Sequence, residues 1–411
     1  MIRALVNALA GKPWLMLLDH YTFIISSVGN GITYIVVFSE LIRLSAPTTS
    51  LALAYVLSTV PGLIGSKVGE YYCRTGNPFS ILIVGEILGM AGLSAPFMAV
   101  LSGSIPLFLI AQTVSAFIIG MTFPAMSKIF KTGLSEKELP VATTLETIIF
   151  ACNVIFGVGL GLLLLGHVTV IHLLIIDLAS YALSVVMLLS AKGKFWITFH
   201  YIEQKDAVIR WKDISTPQKR SILLLPLLAF SGAPAMALLP GLAPTNLTGH
   251  EAQATALALL FSRSLGQLIG PLLLNPERFE KNSNNNSLLL GYLFIFVACY
   301  GLTPFSTSSY LALALVFIAH IFSNVVFSLA VYSVLKKFDE NHVAAAMAQS
   351  YRWQMLITAI VSIGAGYSSD YLGVIYALYA FSGSGFLLIV IFSFVEKYCS
   401  PEPQTNNLKP E

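Results

Sequence analysis

The chain has 411 residues, of which 56% are hydrophobic and 10% charged, and a formal net charge of +3. An ordinary soluble domain carries about a quarter charged residues, so composition excludes a soluble globule and makes lipid the solvent for the fold. The small net charge, divided among separate short loops, excludes a nucleic-acid partner.

Apolar stretches of about 20 residues, each able to cross a hydrocarbon core about 30 Å thick, recur from end to end. They predict spans at 14–43, 47–66, 77–101, 104–128, 141–165 and 167–190, then at 220–243, 251–274, 285–305, 310–335, 343–367 and 374–396. The first stretch is followed by no small-residue cleavage site and by eleven further stretches, so it reads as a span and not as a signal peptide. Of the 23 Lys and Arg residues, 20 fall at the N-terminus, the C-terminus or in alternate loops. The positive-inside rule therefore predicts a multi-pass protein of the cell (inner) membrane with both termini cytoplasmic.

The longest hydrophilic segment, Lys192 to Arg220, carries seven basic and three acidic residues and falls at mid-chain. It divides the chain into an N-terminal six-helix bundle (1–190), a cytoplasmic linker (191–219), a C-terminal six-helix bundle (220–397) and a cytoplasmic tail (398–411). A shift of 205 residues sets Leu63-Ile64-Gly65 on Leu268-Ile269-Gly270 and the first span on the seventh. Parallel six-helix repeats of this kind are the plan of a rocker transporter with its site between the halves. The four cysteines, Cys73, Cys152, Cys299 and Cys399, show no metal-ligand or redox spacing and read as apolar fillers. No metal and no cofactor is expected.

Several motifs resemble those of the major facilitator superfamily, in the branch of enterobactin-type siderophore exporters and macrolide efflux pumps. They are Ser26-Ser27-Val28-Gly29-Asn30-Gly31-Ile32, Gly65-Ser66-Lys67-Val68-Gly69-Glu70-Tyr71-Tyr72-Cys73-Arg74, Phe123-Pro124-Ala125, Leu139-Pro140-Val141-Ala142 and Ile176-Asp177-Leu178-Ala179-Ser180-Tyr181. The second half adds Gly266-Gln267-Leu268-Ile269-Gly270 and Gly364-Ala365-Gly366 followed by Asp370. The resemblance implies an all-α membrane protein with twelve transmembrane helices in two pseudo-symmetric bundles, acting as a monomer on a small molecule with protons as co-substrate. The stretch Gly65 to Arg74 resembles the signature loop between helices 2 and 3, with Glu70 where an Asp is usual. As a hinge, its small residues would let the backbone turn tightly, and Glu70 would bind a helix end or a basic partner in one conformation only. Asn153 to Gly161 resembles the glycine-rich exporter motif, with Val158 where a proline is usual; Gly157 and Gly161 would allow a dry seal between the halves. Gly65, Gly69, Glu70, Arg74, Gly157 and Gly161 thus form the expected conformational gate.

Ionisable side chains cost at least about 2.5 kcal/mol at the centre of a spanning helix, so each is a functional candidate until paired. Asp19 and Asn30 lie eleven residues apart and share a face of helix 1, expected to line the cavity. The resembled branch often has Asp at the position of Asn30, and an amide cannot carry a proton. Asp19 and Glu146 are then the proton-coupling candidates, each with an alternative role at a helix end. Arg263 and Arg352 lie about ten residues into their spans, too deep to snorkel easily, and suit an anionic substrate; alternatively each pairs with an acid such as Asp19 or Glu86. His320 and Asn324, one turn apart, are either substrate contacts or hydrogen-bonded packing. Glu86 and Asp177 are expected in structural pairs. Gln112, Asn153 and Gln267 either line the pathway or join helices.

His172 and Asp177 match an HxxxxD acyltransferase spacing, but the pair lies inside an apolar span without a glycine-proline substrate loop, so no enzyme is expected. No GxxxxGK[ST] loop occurs, which favours an ion gradient over ATP. The resulting expectation is proton-coupled export of a small organic anion or amphiphile such as a siderophore. Macrolide or multidrug efflux, siderophore import, lysophospholipid transport and a non-transporting membrane sensor stand as alternatives.

Overall fold

The computed structural model describes residues 12, 22, 24–44, 57–58, 60–164, 167–198, 209–242 and 249–399. The helices of the N-terminal half are α1 (Ile24–Arg43), α2 (Pro61–Thr75), α3 (Pro78–Gly92, continued through Leu93 by Ser94–Ser102), α4 (Ile105–Gly133), α5 (Leu139–Cys152, a π turn at Asn153–Val158, then Gly159–Leu164) and α6 (Val170–Thr198). The second half contains α7 (Thr216–Leu238), α8 (Gly249–Leu272), α9 (Asn286–Leu302), α10 (Ser309–Lys337), α11 (Val343–Leu372) and α12 (Val374–Leu378, a π turn at Tyr379–Gly383, then Ser384–Cys399). Eight of these helices are long and apolar enough on hydropathy alone to cross a membrane. The chain is a multi-pass membrane protein with an all-helical, two-bundle architecture.

Helix starts are written locally. Asn77 caps α3 by accepting from the Phe79 N–H at 2.9 Å, with Pro78 at the first helical position. Asn285 and Ser308 cap α9 and α10 in the same way, accepting from Leu288 and Leu311. Gly373 stands alone between α11 and α12 at φ +83°, a conformation open to glycine but strained for other residues.

Within lipid, helices associate by close packing of small residues rather than by the hydrophobic effect. Gly65 and Gly69 of α2 sit against the Phe117 and Met121 carbonyls of α4, and Gly266 and Gly270 of α8 sit against the Phe317 and Ile321 carbonyls of α10. The halves therefore share one glycine-lined crossing. Its offset is 201 residues (Gly65 to Gly266), four fewer than the 205 of the sequence alignment, because both alignments place a glycine on a glycine and only packing selects between them.

The stretch Gly65 to Arg74, expected as a loop, forms the last turns of α2, and the connection to α3 shrinks to Gly76 and Asn77. A Glu70–Arg74 pair spaced i, i+4 supports the helix. The two glycines thus serve helix contact and not a tight turn. Gly157 and Gly161 also act differently from expectation. They pack on Gly31, Ile32 and Ile35 of α1, inside one half, and Asn153 Nδ2 donates to the Ser27 carbonyl at 2.8 Å.

The largest apolar core joins both halves. It runs from Cys73, Phe79, Ile129 and Leu139 in the first half to Leu225, Leu329, Leu335 and Met347 in the second, all toward the side that carries the linker. Toward the opposite side, among the described residues, the buried clusters stay within one half: Ile32, Leu93 and Leu173 in one, Val37, Leu41 and Phe108 in another, and Leu238, Phe296, Val316 and Leu378 in the third.

Candidate functional site

The linker-side junction of α2, α4 and α11 holds a charged lock. Glu70 Oε1 accepts from Arg74 Nη2 on its own helix, and Glu70 Oε2 accepts from Arg352 Nη1 on α11. The Glu70 side chain is 11% exposed and that of Arg352 23%, so the inter-half pair is shielded from salt more than a surface pair would be. Beside it, Tyr351 packs its ring on Phe123 at 5.1 Å and places its hydroxyl against Gly62. Arg352, expected at the substrate or paired to Asp19 or Glu86, is thus engaged by Glu70.

A second bridge joins the loop after α4 to the end of α10. Glu136 accepts from Lys131 of its own half at 3.0 Å and from Lys336 of the other at 2.5 Å. Burial pushes the Glu136 carboxyl up, but the hydrogen bonds from Lys336 and Lys131 outweigh it and hold the group below its ordinary value. Lys12 pairs with Glu138, whose carboxylate also accepts from Ser135. Glu136 and Lys336 are absent from the sequence candidates, since both read as ordinary loop charges; their one signal is placement next to the ends of corresponding helices, α4 and α10.

Inside the N-terminal half, a polar network joins α1, α3 and α6. Ser26 Oγ donates to Glu86, with 2.9 and 3.1 Å to its two oxygens. Asn30 Nδ2 donates to the Ser26 carbonyl at 2.9 Å, and Asn30 Oδ1 accepts from the Tyr181 hydroxyl at 2.6 Å. Thr33 Oγ1 donates to Asp177 Oδ2 at 2.5 Å, and Ser180 Oγ lies 3.2 Å from Asp177 Oδ1. Glu86 and Asp177 are 8% and 0% exposed, and among the described residues neither has a basic partner. A cleft of about 420 Å³, its open mouth included, reaches Asn30, Thr33, Gln112 and Tyr181. It lies between α1, α3, α4 and α6, so Asn30 faces into its own half instead of the space between halves. Asp19 lies outside the described residues; Glu146 falls on α5, and its side chain is likewise outside them.

The C-terminal half has the opposite character. Among the described residues, Arg263 Nε and Gln267 Oε1, one turn apart on α8, are buried without hydrogen-bond partners. Nearby Ser262 Oγ donates to the Leu313 carbonyl at 2.6 Å, tying α8 to α10. His320 is 1% exposed; its Nε2 is 2.6 Å from the Tyr300 hydroxyl, its Nδ1 3.4 Å from Ser323 Oγ, and its ring packs on Phe296. Asn324 donates to the His320 carbonyl at 3.3 Å. Both residues are therefore held inside their own half by interhelical and local hydrogen bonds.

No family model matches the chain. A protein of Pseudescherichia vulneris described as an uncharacterized 29.9 kDa protein in the crtE 3' region is 38% identical over 97 residues, which cover 22% of this chain and 35% of that protein. The match thus spans about a third of that relative's length. Solved structures align over nearly the whole chain. The human organic anion transporter MFSD10 (TETRAN) superposes with a TM-score of 0.69 at 12% identity, covering 92% of this chain and 98% of its own. A bacterial homologue of the iron transporter ferroportin in an outward-facing state gives 0.65 at 14% identity, over 92% and 99%. The E. coli fucose:proton symporter FucP gives 0.64 at 15% identity, over 93% and 98%. The paired helix crossings, the two bundles and these full-length superpositions agree on one architecture: the protein has the major facilitator fold.

Proposed function

We propose that the chain is a secondary active transporter that exports a small organic anion or amphiphile, such as a siderophore, in exchange for protons. The observation that carries this reading is the asymmetry of contact between its halves, taken as 1–190 and 220–397 about the 191–219 linker. Among the described residues they share a core and two inter-half ion pairs on the linker side, whereas the opposite-side cores remain separate. With the termini and linker cytoplasmic, this is a carrier closed to the cytoplasm and poised to open outward. Glu70 and Arg352 lock that state, and reopening toward the cytoplasm requires them to part.

Arg263 and Gln267 support an anionic or acceptor-rich substrate. A buried guanidinium nitrogen without a partner costs free energy that a substrate carboxylate or phenolate would offset through a charge-assisted hydrogen bond. In proteoliposomes with an imposed pH gradient, a labelled polycarboxylate or catecholate siderophore should move against the proton gradient and exchange with unlabelled compound. Equal distribution of the siderophore in iron-limited cultures with and without the protein would remove the siderophore version; movement of macrolides, or of a lysophospholipid, in its place would identify the competing substrate.

A further inference from the structure

We infer that Glu86 and Asp177, enclosed in the N-terminal half, form the proton-binding site of this protein, with Asn30, Thr33 and Tyr181 joining them to the neighbouring cleft. This rests on the transporter reading for its use in coupling, but not for its chemistry.

Two carboxylates from α3 and α6 are enclosed on either side of one stretch of α1. Their partners are hydroxyls: Ser26 on Glu86, and Thr33 and Ser180 on Asp177. A structural acid in a membrane bundle is expected to face a cation, and the packing elements contain cations that are employed elsewhere. On α4, Lys128 bonds to the Cys73 carbonyl and Lys131 to Glu136; on α6, Lys192 bonds to Ser80 Oγ. On α1 and α2, Arg43 and Arg74 are paired with Glu40 and Glu70. The remaining titratable groups on these elements are Tyr34, Lys67, Tyr71, Tyr72, Cys73, His172, Lys194 and, on α5, Glu146 and Cys152; Tyr34 lines the cleft, and Tyr181 stands directly at the site through Asn30. Two neighbouring anions that no described cation faces in a low-dielectric interior are tolerated best when protons neutralise them.

The route is also visible. Tyr181, Asn30, Ser26 and Glu86 are linked in series by side-chain hydrogen-bonding contacts, the Asn30–Ser26 step being the longest at 3.4 Å. Asn30, Thr33 and Tyr181 all line the cleft. In the proposed step, a carboxylate oxygen takes one proton from water in the cleft, forming one O–H bond, and later returns that proton; no other covalent bond changes. A metal ion is a poorer occupant, since no group of three His, Cys, Asp or Glu side chains converges among the described residues. Asn30 thereby acquires a role in positioning, holding the Tyr181 and Ser26 hydroxyls beside the acid without itself carrying a proton, and the chain keeps acidic coupling groups although helix 1 presents an amide.

Infrared difference spectroscopy of the full-length protein in lipid, titrated with acid and base, tests this without a substrate. Protonated-carboxyl C=O bands should be present at neutral pH and vanish reversibly at alkaline pH. E86Q should remove one component and D177N the other, and Ser26→Ala or Thr33→Val should change the frequency of the corresponding band, giving a readout if either isosteric variant folds poorly. Bands unaffected by any of the four substitutions, or a titration displaced by sodium chloride but not by choline chloride, would overturn the proton site. A titrating pair in a protein that moves no siderophore, macrolide or lysophospholipid in liposomes would uphold the site and remove the transporter reading. Siderophore exchange without a titrating pair would do the reverse.

Discussion

The two halves share a backbone plan but enclose different polar groups. The first encloses Glu86 and Asp177 among hydroxyls, while the second encloses part of a guanidinium and a glutamine oxygen that no described residue satisfies. The common glycine crossings at Gly65 and Gly69 and at Gly266 and Gly270 show that this difference is not one of architecture. Repeats fix where helices meet, and each half then specialises in the polar groups placed between them. On this account one half manages protons and the other the anionic cargo, with Glu70 and Arg352 reporting which side is closed.

The largest effect is expected at the lock that couples the halves. Removing Glu70 leaves the shielded Arg352 uncompensated and costs about 3–5 kcal/mol. E70Q should therefore open the linker side, raising the labelling of cysteines introduced there by roughly 100-fold or more, at about tenfold per 1.4 kcal/mol, and R352Q should do so to a smaller extent because Glu70 keeps its pair with Arg74. The double swap E70R/R352E should restore protection if the contact between halves, and not either charge alone, sets the state. Next comes Arg263. R263L should lower exchange of an anionic substrate by roughly 10- to 100-fold, the value of a charge-assisted hydrogen bond of about 1.5–3 kcal/mol, while leaving that of a neutral macrolide intact. Equal losses for both would dissolve the assignment of the anion to the second half.

Substitution of the shared crossing should affect the halves alike. An alanine Cβ at Gly65 or Gly266 would meet a backbone carbonyl of α4 or α10, too close for ordinary contact, so overpacking of about 1–3 kcal/mol should lower Tm in each case. A loss confined to one half would break the structural equivalence. The smallest effect belongs to Glu136, whose side chain is 57% exposed. Because its carboxyl is held below the ordinary value, its bond to Lys336 contributes to closure above that value, and the contribution is lost as pH falls below it. For so exposed a pair it should amount to less than about 1 kcal/mol and fade in high salt; a cysteine-accessibility titration of E136Q against the parent protein measures the difference.

Hydropathy and charge make the order of helices legible, because each span needs about 20 apolar residues whatever its neighbours. They do not say what the polar residues meet. Arg352 is legible as a cation deep in a span, but its partner Glu70 is 282 positions away and lies in a stretch whose polar residues read as a loop. The Glu70–Arg74 pair and the glycine contacts instead carry helix 2 through to Thr75. At Asn30 the chemistry of an amide is plain from the sequence, yet period alone does not decide whether it faces the second half or its own. His320 stands out as a midspan histidine; Tyr300 and Ser323, which occupy its ring nitrogens, do not. Glu86 and Asp177 are expected to have basic partners because membrane acids usually do, and their hydroxyl environment takes shape only once three helices are assembled.

Transport by the purified full-length protein in proteoliposomes, under an imposed pH gradient, tests the central claim most directly. A labelled polycarboxylate or catecholate siderophore should move against the proton gradient, with R263L slowing exchange and E86Q or D177N abolishing proton-driven accumulation while passive exchange persists. Siderophore movement indifferent to the pH gradient in the parent protein, or absent altogether, would contradict the account.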